Sequence, residues 1–573
     1  MRESVKNHKV VVIGLDGGTF DLIKPWVEEG SLPNLARIMA QGSHGTLMSV
    51  IPPLTTPAWA SFITGKNPGK HGIFDFAERR ENSYDIQWVT ASSRNGKSLW
   101  KYINEGGLKV GVINIPNNYP LEEVDGFMIA WMDAPGSRHD FAYPRSIISE
   151  VNEQVGRYII TILDWKENED LVRFDANLHR MIDNRAKVVS YLMQKKPWDF
   201  FAVLFSATDI AQHCFWSYMD PSHPEYDPDD AGQFANTIKR VYQHVDAVVG
   251  DIEKKLDDDT TLILMSDHGA GPLRSVVHLN RWLEEQGFLK FKAGPTAGLS
   301  GNCGSIASFL GTKVIREGLS FLKRNLSQDM RSRLKKIFPG MRDKMEGVLF
   351  SSLFDWAGTQ AYSLGSYGNI YVNLKGREPD GVVEPGMAYE TLRNEIMARL
   401  LELRDPTTGR KVVSAVYRRE ELYSGSFLSN AADLVVIWSD EGYHSVQRFG
   451  SREDSVFSSE LNFHLTNIRF TGHHRLNGIF AIKGPGIRQG AEIQDASIVD
   501  LAPTILHVLG LPVPEEMDGR VLNAVFSAEY LDQNPVRYEA ISDDNDLICR
   551  AGGYDEEESD RIAERLKSLG YIE

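Results

Sequence analysis

Residues 9–18 read KVVVIGLDGG, an apolar run broken by no polar side chain until Asp16 and the two glycines behind it. A strand with one wet face alternates apolar and polar residues, so an unbroken run of this length marks a strand covered on both faces. Four more runs have the same character: 108–116 (LKVGVINIP), 200–209 (FFAVLFSATD), 260–268 (TTLILMSDH) and 479–483 (IFAIK). Stretches with helical periodicity separate them. Strands alternating with helices predict βαβ units, and hence an α/β fold whose central sheet is mostly parallel with helices on both faces.

Three of these runs end in polar clusters: Asp16, Asp209, and the pair Asp267 and His268. Open α/β sheets bind ligands beyond the carboxyl ends of their strands, so polar residues placed there converge although they lie far apart in the chain. A single Asp after a strand is ordinarily a turn former or a helix cap. Several at once call for a shared purpose.

The chain has 573 residues, 42% hydrophobic and 24% charged, with a formal charge of −16. That is the composition of a soluble globular protein, and the acidic balance argues against nucleic-acid binding, which needs a basic surface. Some of the negative charge is expected to serve cations. Cys214, Cys303 and Cys549 are odd in number and widely spaced, which predicts no disulfide framework and a reducing, cytoplasmic setting. The first nine residues are polar and charged, without the apolar core of a signal peptide, and no transmembrane segment is expected.

The pattern changes between about 294 and 347. Gly- and Ser-rich sequence leads into two amphipathic helical stripes, and ten Lys and Arg residues fall between Lys313 and Lys344. The plain reading is a helical insertion that packs its apolar face on the core. The sharper alternatives are a cap that attracts anionic substrate, or a patch for an anionic partner or membrane surface through 313–344. Further sheet is expected across 368–374 and at DLVVIW, 433–438. The expected organisation is a core in two parts, 1–293 and 348–530, the insertion at 294–347, and a tail at 531–573 that ends in a charged helix with a small apolar patch.

Several segments carry chemistry. DIAQH, 209–213, sets a carboxylate and an imidazole four apart, which places Asp209 and His213 on one face if a helix starts there. SDHG, 266–269, sets two ligand types side by side after a strand. GHHR, 472–475, offers more imidazoles in an expected loop before Ile479. A mixed Asp and His set suits zinc, with manganese as the alternative. PPLTTPAW, 52–59, presents two hydroxyls on a stiff turn. A hydroxyl needs activation to act as a nucleophile, and metal coordination is one route; the plainer role of Thr55 and Thr56 is to cap the following helix. Residues 65–71 do not form a P-loop, because the glycine spacing is one short and His71 stands where Ser or Thr belongs.

Taken together, GLDGG (14–18), TTPAWASFITGKNPGKHGIFDF (55–76), DIAQH, SDHG, GHHR and VDLAPTIL (499–506) resemble the type I phosphodiesterase/nucleotide pyrophosphatase branch of the alkaline phosphatase superfamily. Within it they are most similar to the predicted phosphohydrolases and phosphomutases. The resemblance runs from Val10 to about Leu522. It implies an alkaline-phosphatase-like fold and two divalent metal ions, one on Asp209, His213 and His474 and the other on Asp16, Asp267 and His268, with Thr55 as reactive ligand. It also implies a small-molecule phosphoester substrate, cleaved through a phospho-threonine on Thr55. The same site could serve a phosphomutase, and a metal-stabilised binding module is the reading from another class. Thr55 is chosen over Thr56 because the family's nucleophile stands two residues before the proline, and His474 over His473 because the ligand directly precedes the Arg. Two departures stand out. Phe76 occupies the position of the asparagine that holds a phosphoryl oxygen in nucleotide pyrophosphatases. The sulfatase signature C/S-x-P-x-R is absent, since Thr55 and Trp59 flank Pro57, which argues against arylsulfatase activity.

Overall fold

A computed structural model describes residues 8–134, 141–162, 170–292, 353–445, 455–458 and 469–540, together with 554, 558, 559, 561–563 and 565. The basic insertion, Cys303, Cys549 and the apolar patch of the tail lie outside the described residues.

The apolar runs form the centre of a nine-stranded sheet. Its strands are β1 (Lys9–Leu15), β2 (Ser43–Met48), β3 (Val110–Ile115), β4 (Gly126–Ala130), β5 (Ala142–Tyr143), β6 (Phe200–Phe205), β7 (Thr260–Met265), β8 (Asn477–Lys483) and β9 (Ala491–Ser497). They stand in the order β9-β2-β8-β7-β1-β6-β3-β4-β5. β1 lies between β6 and β7, parallel to both, with Val10 opposite Phe200 and Thr261. Only β8 and β5 run against the rest. Every residue of β3, β6 and β7 is buried, as strands packed on both faces must be. Gly14 in β1 has its own packing reason: a Cβ there would lie 2.8 Å from Leu204 and 3.0 Å from the Trp59 ring.

The helices that matter for the site are α1 (Thr55–Thr64), α2 (Leu171–Lys195), α3 (Ala207–Met219), α4 (Thr237–Glu253) and α5 (Leu501–Val508). α1 is buried along its whole length, because its sequence is apolar or small on every face. α2 is amphipathic and starts where the Asp170 side chain accepts from the Val172 N–H. VDLAPTIL opens α5, and its Asp500 is a structural brace that accepts from Ser497 N and Arg520 N.

Residues from both sides of the insertion build this one sheet. The strands expected near 368–374 and 433–438 are found, but in a separate four-stranded antiparallel sheet in the order Ala361–Ser363, Asn369–Val372, Leu434–Trp438, Val413–Arg418. The segment 472–475 corrects the expectation of a loop. Gly472–Arg475 is a strand, paired antiparallel with Gly269–Pro272 so that His474 lies opposite Ala270. Glycine-rich GAGP and polar GHHR carry little strand propensity, and their pairing is set by tertiary context. No helix among the described residues is long and apolar enough to cross a membrane.

Candidate active site

The carboxyl ends of β1, β6 and β7 meet the N-terminal end of α1 and the Gly269–Pro272/Gly472–Arg475 ribbon. Asp16 follows β1 directly. Asp209 lies in the first turn of α3, and His213 one turn later faces the same way, with Nε2 3.3 Å from Asp209 Oδ1. Asp267 and His268 follow β7, and His268 Nε2 stands 3.4 Å from Asp267 Oδ2 and 3.7 Å from Asp16 Oδ1. His474 arrives from the ribbon, its Nε2 3.1 Å from that of His213 and 3.5 Å from Asp209 Oδ1. The structure thus brings all seven sequence-predicted residues into one buried cluster, Thr55 included.

Thr55 is the first residue of α1, with Leu54 at the N-cap position and no side-chain cap there. The N-cap position therefore falls on Leu54, one residue before Thr55. Its Oγ1 lies 3.2 Å from His268 Nε2. Thr56 instead lines a small neighbouring cavity, together with Phe76, Asn117, Trp131, Asp133 and, from the tail, Tyr554, Ile562 and Arg565. Asn117 does not simply stand in for the asparagine that Phe76 replaces: its Nδ2 donates to Thr90 O.

The imidazoles are held in one tautomer. His213 Nδ1 contacts Gly472 O at 2.7 Å, His268 Nδ1 contacts Gly269 O at 3.0 Å, and His474 Nδ1 contacts Pro53 O at 2.9 Å. A carbonyl only accepts, so each Nδ1 carries a proton, and in its neutral form each ring turns an Nε2 lone pair inward. Two such lone pairs facing each other across 3.1 Å, at His213 and His474, repel unless a proton or cation lies between them. Neighbouring ligands of a tetrahedral zinc at 2.0–2.1 Å stand about 3.3 Å apart, close to this spacing.

The carboxylates tell the same story. Asp16 Oδ1 and Asp209 Oδ1 are buried and accept no hydrogen bond, a costly arrangement without a cation. Burial, reinforced by Asp267 and Asp209, holds the Asp16 carboxyl well above its usual range, and burial raises Asp267 as well. Burial pushes Asp209 upward too, but the adjacent His213 and His474 outweigh it and hold Asp209 well below. Burial pulls His213 down, yet Asp209 outweighs it and raises the ring; burial and His268 pull His474 to about 3. Asp16, Asp267 and His268 offer ligand atoms within 4.8 Å of one another, as do Asp209, His268 and His474. His268 therefore sits where the two sets meet. The donor set fits divalent cations.

His473 points elsewhere, its ring stacked on His444 at 3.3 Å between centroids, as adjacent residues of a strand must. Sequence reasoning missed three supports. Trp59 Nε1 donates to Asp267 Oδ2, the Gly17 N–H donates to Asp267 Oδ1, and Thr208 Oγ1 donates to Asp16 O. The four-residue spacing from Thr55 to Trp59 was a readable signal that both lie on one helix face.

The sequence profile described as type I phosphodiesterase / nucleotide pyrophosphatase matches residues 10–474. A curated relative, the extracellular sulfatase SULF-1 homolog of Drosophila melanogaster, is 36% identical over 87 residues, which span 15% of this chain and 7% of that protein. Among solved structures, phosphonoacetate hydrolase from Sinorhizobium meliloti 1021 aligns at 15% identity, with 88% of this chain and 95% of that one covered and a TM-score of 0.49. Human ectonucleotide pyrophosphatase / phosphodiesterase 5 aligns at 14% identity over 91% and 100%, with a TM-score of 0.46. The profile spans most of the chain and reaches from β1 to the ribbon histidines, and the protein belongs to the type I phosphodiesterase / nucleotide pyrophosphatase family.

Proposed function

We propose that this protein hydrolyses phosphate esters, diesters or pyrophosphates, with two divalent cations of the zinc or manganese class and Thr55 as nucleophile. The observation that carries the reading is the set of three imidazoles, each with Nδ1 committed to a backbone carbonyl and Nε2 turned into a cluster of buried carboxylates. Family membership supports the phosphoester chemistry. Asp209, His213 and His474 would hold one cation, and Asp16, Asp267 and His268 the other. Bound cations supply positive charge to the phosphoryl oxygens and lower the pKa of a nearby hydroxyl or water.

The chain's own residues do the rest. Thr55 stands at the start of α1, where a helix N-terminus favours a bound anion. Thr55 Oγ1, 3.2 Å from His268 Nε2, gives up its proton to solvent and forms a bond to phosphorus in line with the departing ester oxygen. That oxygen leaves with the electron pair of its bond and takes a proton from solvent. Water then attacks the phospho-threonine, and the phosphate or its monoester leaves as the Thr55 hydroxyl is restored. Trp59 and the Gly17 N–H fix the Asp267 carboxylate throughout.

The test is an assay on bis-nitrophenyl and mono-nitrophenyl phosphate, with and without chelator, beside Thr55→Ala. The expected result is a loss of about 10³-fold or more in the variant and a phosphorylated Thr55 peptide in quenched wild-type protein. Undiminished activity in Thr55→Ala would rule out the nucleophile. Two bound metals with no activity on any phosphoester would favour a binding module.

A further inference from the structure

Thr55 Oγ1 lies against His268, while Thr56, the next residue, lines the small cavity that Trp131, Asp133 and the tail residue Ile562 help to wall. The tail is fastened to the residues that follow β4. Tyr554 Oη donates to Asp133 O at 2.7 Å, and Arg565 Nη1 donates to Met132 O at 2.7 Å and to Ala134 O at 2.5 Å. The Tyr554 ring stacks on Tyr119, with centroids 6.0 Å apart and 5° between the planes. Ile562 and Ala563 are buried. These contacts hold a distant part of the chain one residue away from the reacting hydroxyl.

Most polar side chains of the wall are already committed. Tyr554 and Arg565 bond the carbonyls just named, and Asn117 donates to Thr90 O and accepts from Arg94. Two polar atoms are different: Trp131 Nε1 and Asp133 Oδ1 are buried and have no hydrogen-bond partner. Trp131 is only 4% exposed, so bulk solvent does not serve its N–H. A buried donor or acceptor left unmet costs about 1–3 kcal/mol, and native interiors leave few of them. Both residues line the same cavity, which is where a partner for each can sit. One atom is a donor and the other an acceptor, and that pairing selects among ligand groups. An ammonium has no lone pair for the indole. A phosphoryl oxygen suits the indole but is repelled by the carboxylate. A hydroxyl accepts and donates at once, and it is small enough for the space. Phe76, Val89 and Ile562 supply an apolar remainder that suits a short carbon chain.

We propose, on the phosphoester reading of the adjoining cluster, that this cavity takes a short hydroxylated alkyl substituent of the substrate. Its hydroxyl accepts from Trp131 Nε1 and donates to Asp133 Oδ1. The substrate class is then the phosphate ester of a small polyol. Ile562 limits the length of the substituent, which makes the tail a specificity element of the site. A site built to bond a hydroxyl discriminates strongly against an analogue that lacks it, because its own polar groups are then left unmet.

The test is binding, measured by titration calorimetry on the full-length protein with zinc present. The probes are ethyl phosphate and 2-hydroxyethyl phosphate, which differ by one oxygen. The hydroxylated compound should bind about tenfold more tightly, the effect of one net hydrogen bond. Trp131→Phe keeps most of the ring, removes the donor, and should bring the two affinities within about twofold of each other. Equal affinities in the wild type would show that water alone fills the cavity and would overturn the proposal. A preference that survives Trp131→Phe would overturn it too. Ile562→Ala examines the size limit and leaves both polar groups in place. Benzyl phosphate should gain roughly tenfold over ethyl phosphate in this variant, and an unchanged ratio would remove the tail from substrate selection. A clear preference for 2-hydroxyethyl phosphate in a protein that cleaves no phosphoester would strike the hydrolytic reading and leave this one standing.

Discussion

Trp59 on α1 donates its indole N–H to Asp267 at 3.1 Å, which ties the helix that starts at Thr55 to the strand end that carries Asp267 and His268. The two residues stand 208 positions apart in the chain. Both are fully buried, so this bond sets the distance between hydroxyl and carboxylate without help from solvent.

Trp59→Phe keeps most of the ring and removes the donor. A buried hydrogen bond to a charged group contributes about 1.5–3 kcal/mol, so urea unfolding should show a loss of that order. The kcat on a nitrophenyl phosphate diester should fall more than KM rises, because the bond positions reacting groups and touches no substrate. A variant that kept its full kcat would deny Trp59 that positioning role.

Gly17 sits at φ +64° just past Asp16, and a Cβ there would lie 3.0 Å from both Asp209 Oδ1 and Gln212 Nε2. Gly17→Ala should cost about 1–2 kcal/mol for the left-handed backbone alone and should displace the Asp209 carboxylate. The expected signature is weaker zinc binding by calorimetry alongside the lower stability. Gly30, also left-handed at φ +82° but in open space, provides the control: Gly30→Ala should pay the backbone term and leave zinc affinity alone.

Chelation should lower the thermal midpoint, because the buried Oδ1 atoms of Asp16 and Asp209, which accept no hydrogen bond, lose their counter-charge. Readdition of zinc or manganese at about one hundred times its dissociation constant should restore about 2.7 kcal/mol per site. Asp209→Asn should abolish a large part of this metal-induced shift in scanning calorimetry. An identical shift in wild type and variant would place the metals elsewhere.

Asp133 gives a pH-dependent prediction. It lines the cavity beside Thr56, and burial pushes its carboxyl up to about 6. Its Oδ2 accepts from the N–H groups of Asn118 and Tyr119, while Oδ1 is buried and accepts nothing. A carboxyl whose folded pKa is raised favours the fold while it is protonated, and that advantage is lost as pH rises through about 6. Asp133→Asn, which stays neutral, should therefore match the wild type near pH 4 and exceed it progressively toward neutral pH, by on the order of 2 kcal/mol. A stability difference that is flat across this window would contradict the assignment.

The parts of this molecule that were legible in the sequence are those governed by local pattern. Unbroken apolar runs announced β1, β3, β6 and β7, and the polar residues at three strand ends announced the cluster. The spacing of Asp209 and His213 was readable because a helix enforces it. What escaped was set by partners distant in the chain. The ribbon that delivers His474 has almost no strand propensity and forms through its pairing with Gly269–Pro272. The tautomers of His213, His268 and His474 are chosen by Gly472, Gly269 and Pro53 carbonyls, which no periodicity reveals. Thr55 could be read as a helix cap as well as a reactive hydroxyl, and only the fold shows that the N-cap position falls on Leu54.

The placement of β8 has a consequence for biosynthesis. Among the described residues β2 pairs only with β8 and β9, both of which follow residue 476, and β8 also covers the open flank of β7. A ribosome adding about 5–20 residues per second needs roughly 20–90 s to travel from Met48 to Asn477. For that interval β2 has no place in the sheet, and any half-assembled β7 shows a bare edge able to recruit a neighbouring nascent chain. The central sheet can close only once β8, its second-last strand in the chain, has emerged. His474 emerges at the same moment, so the hydrolytic centre is completed only when the sheet is ready to close.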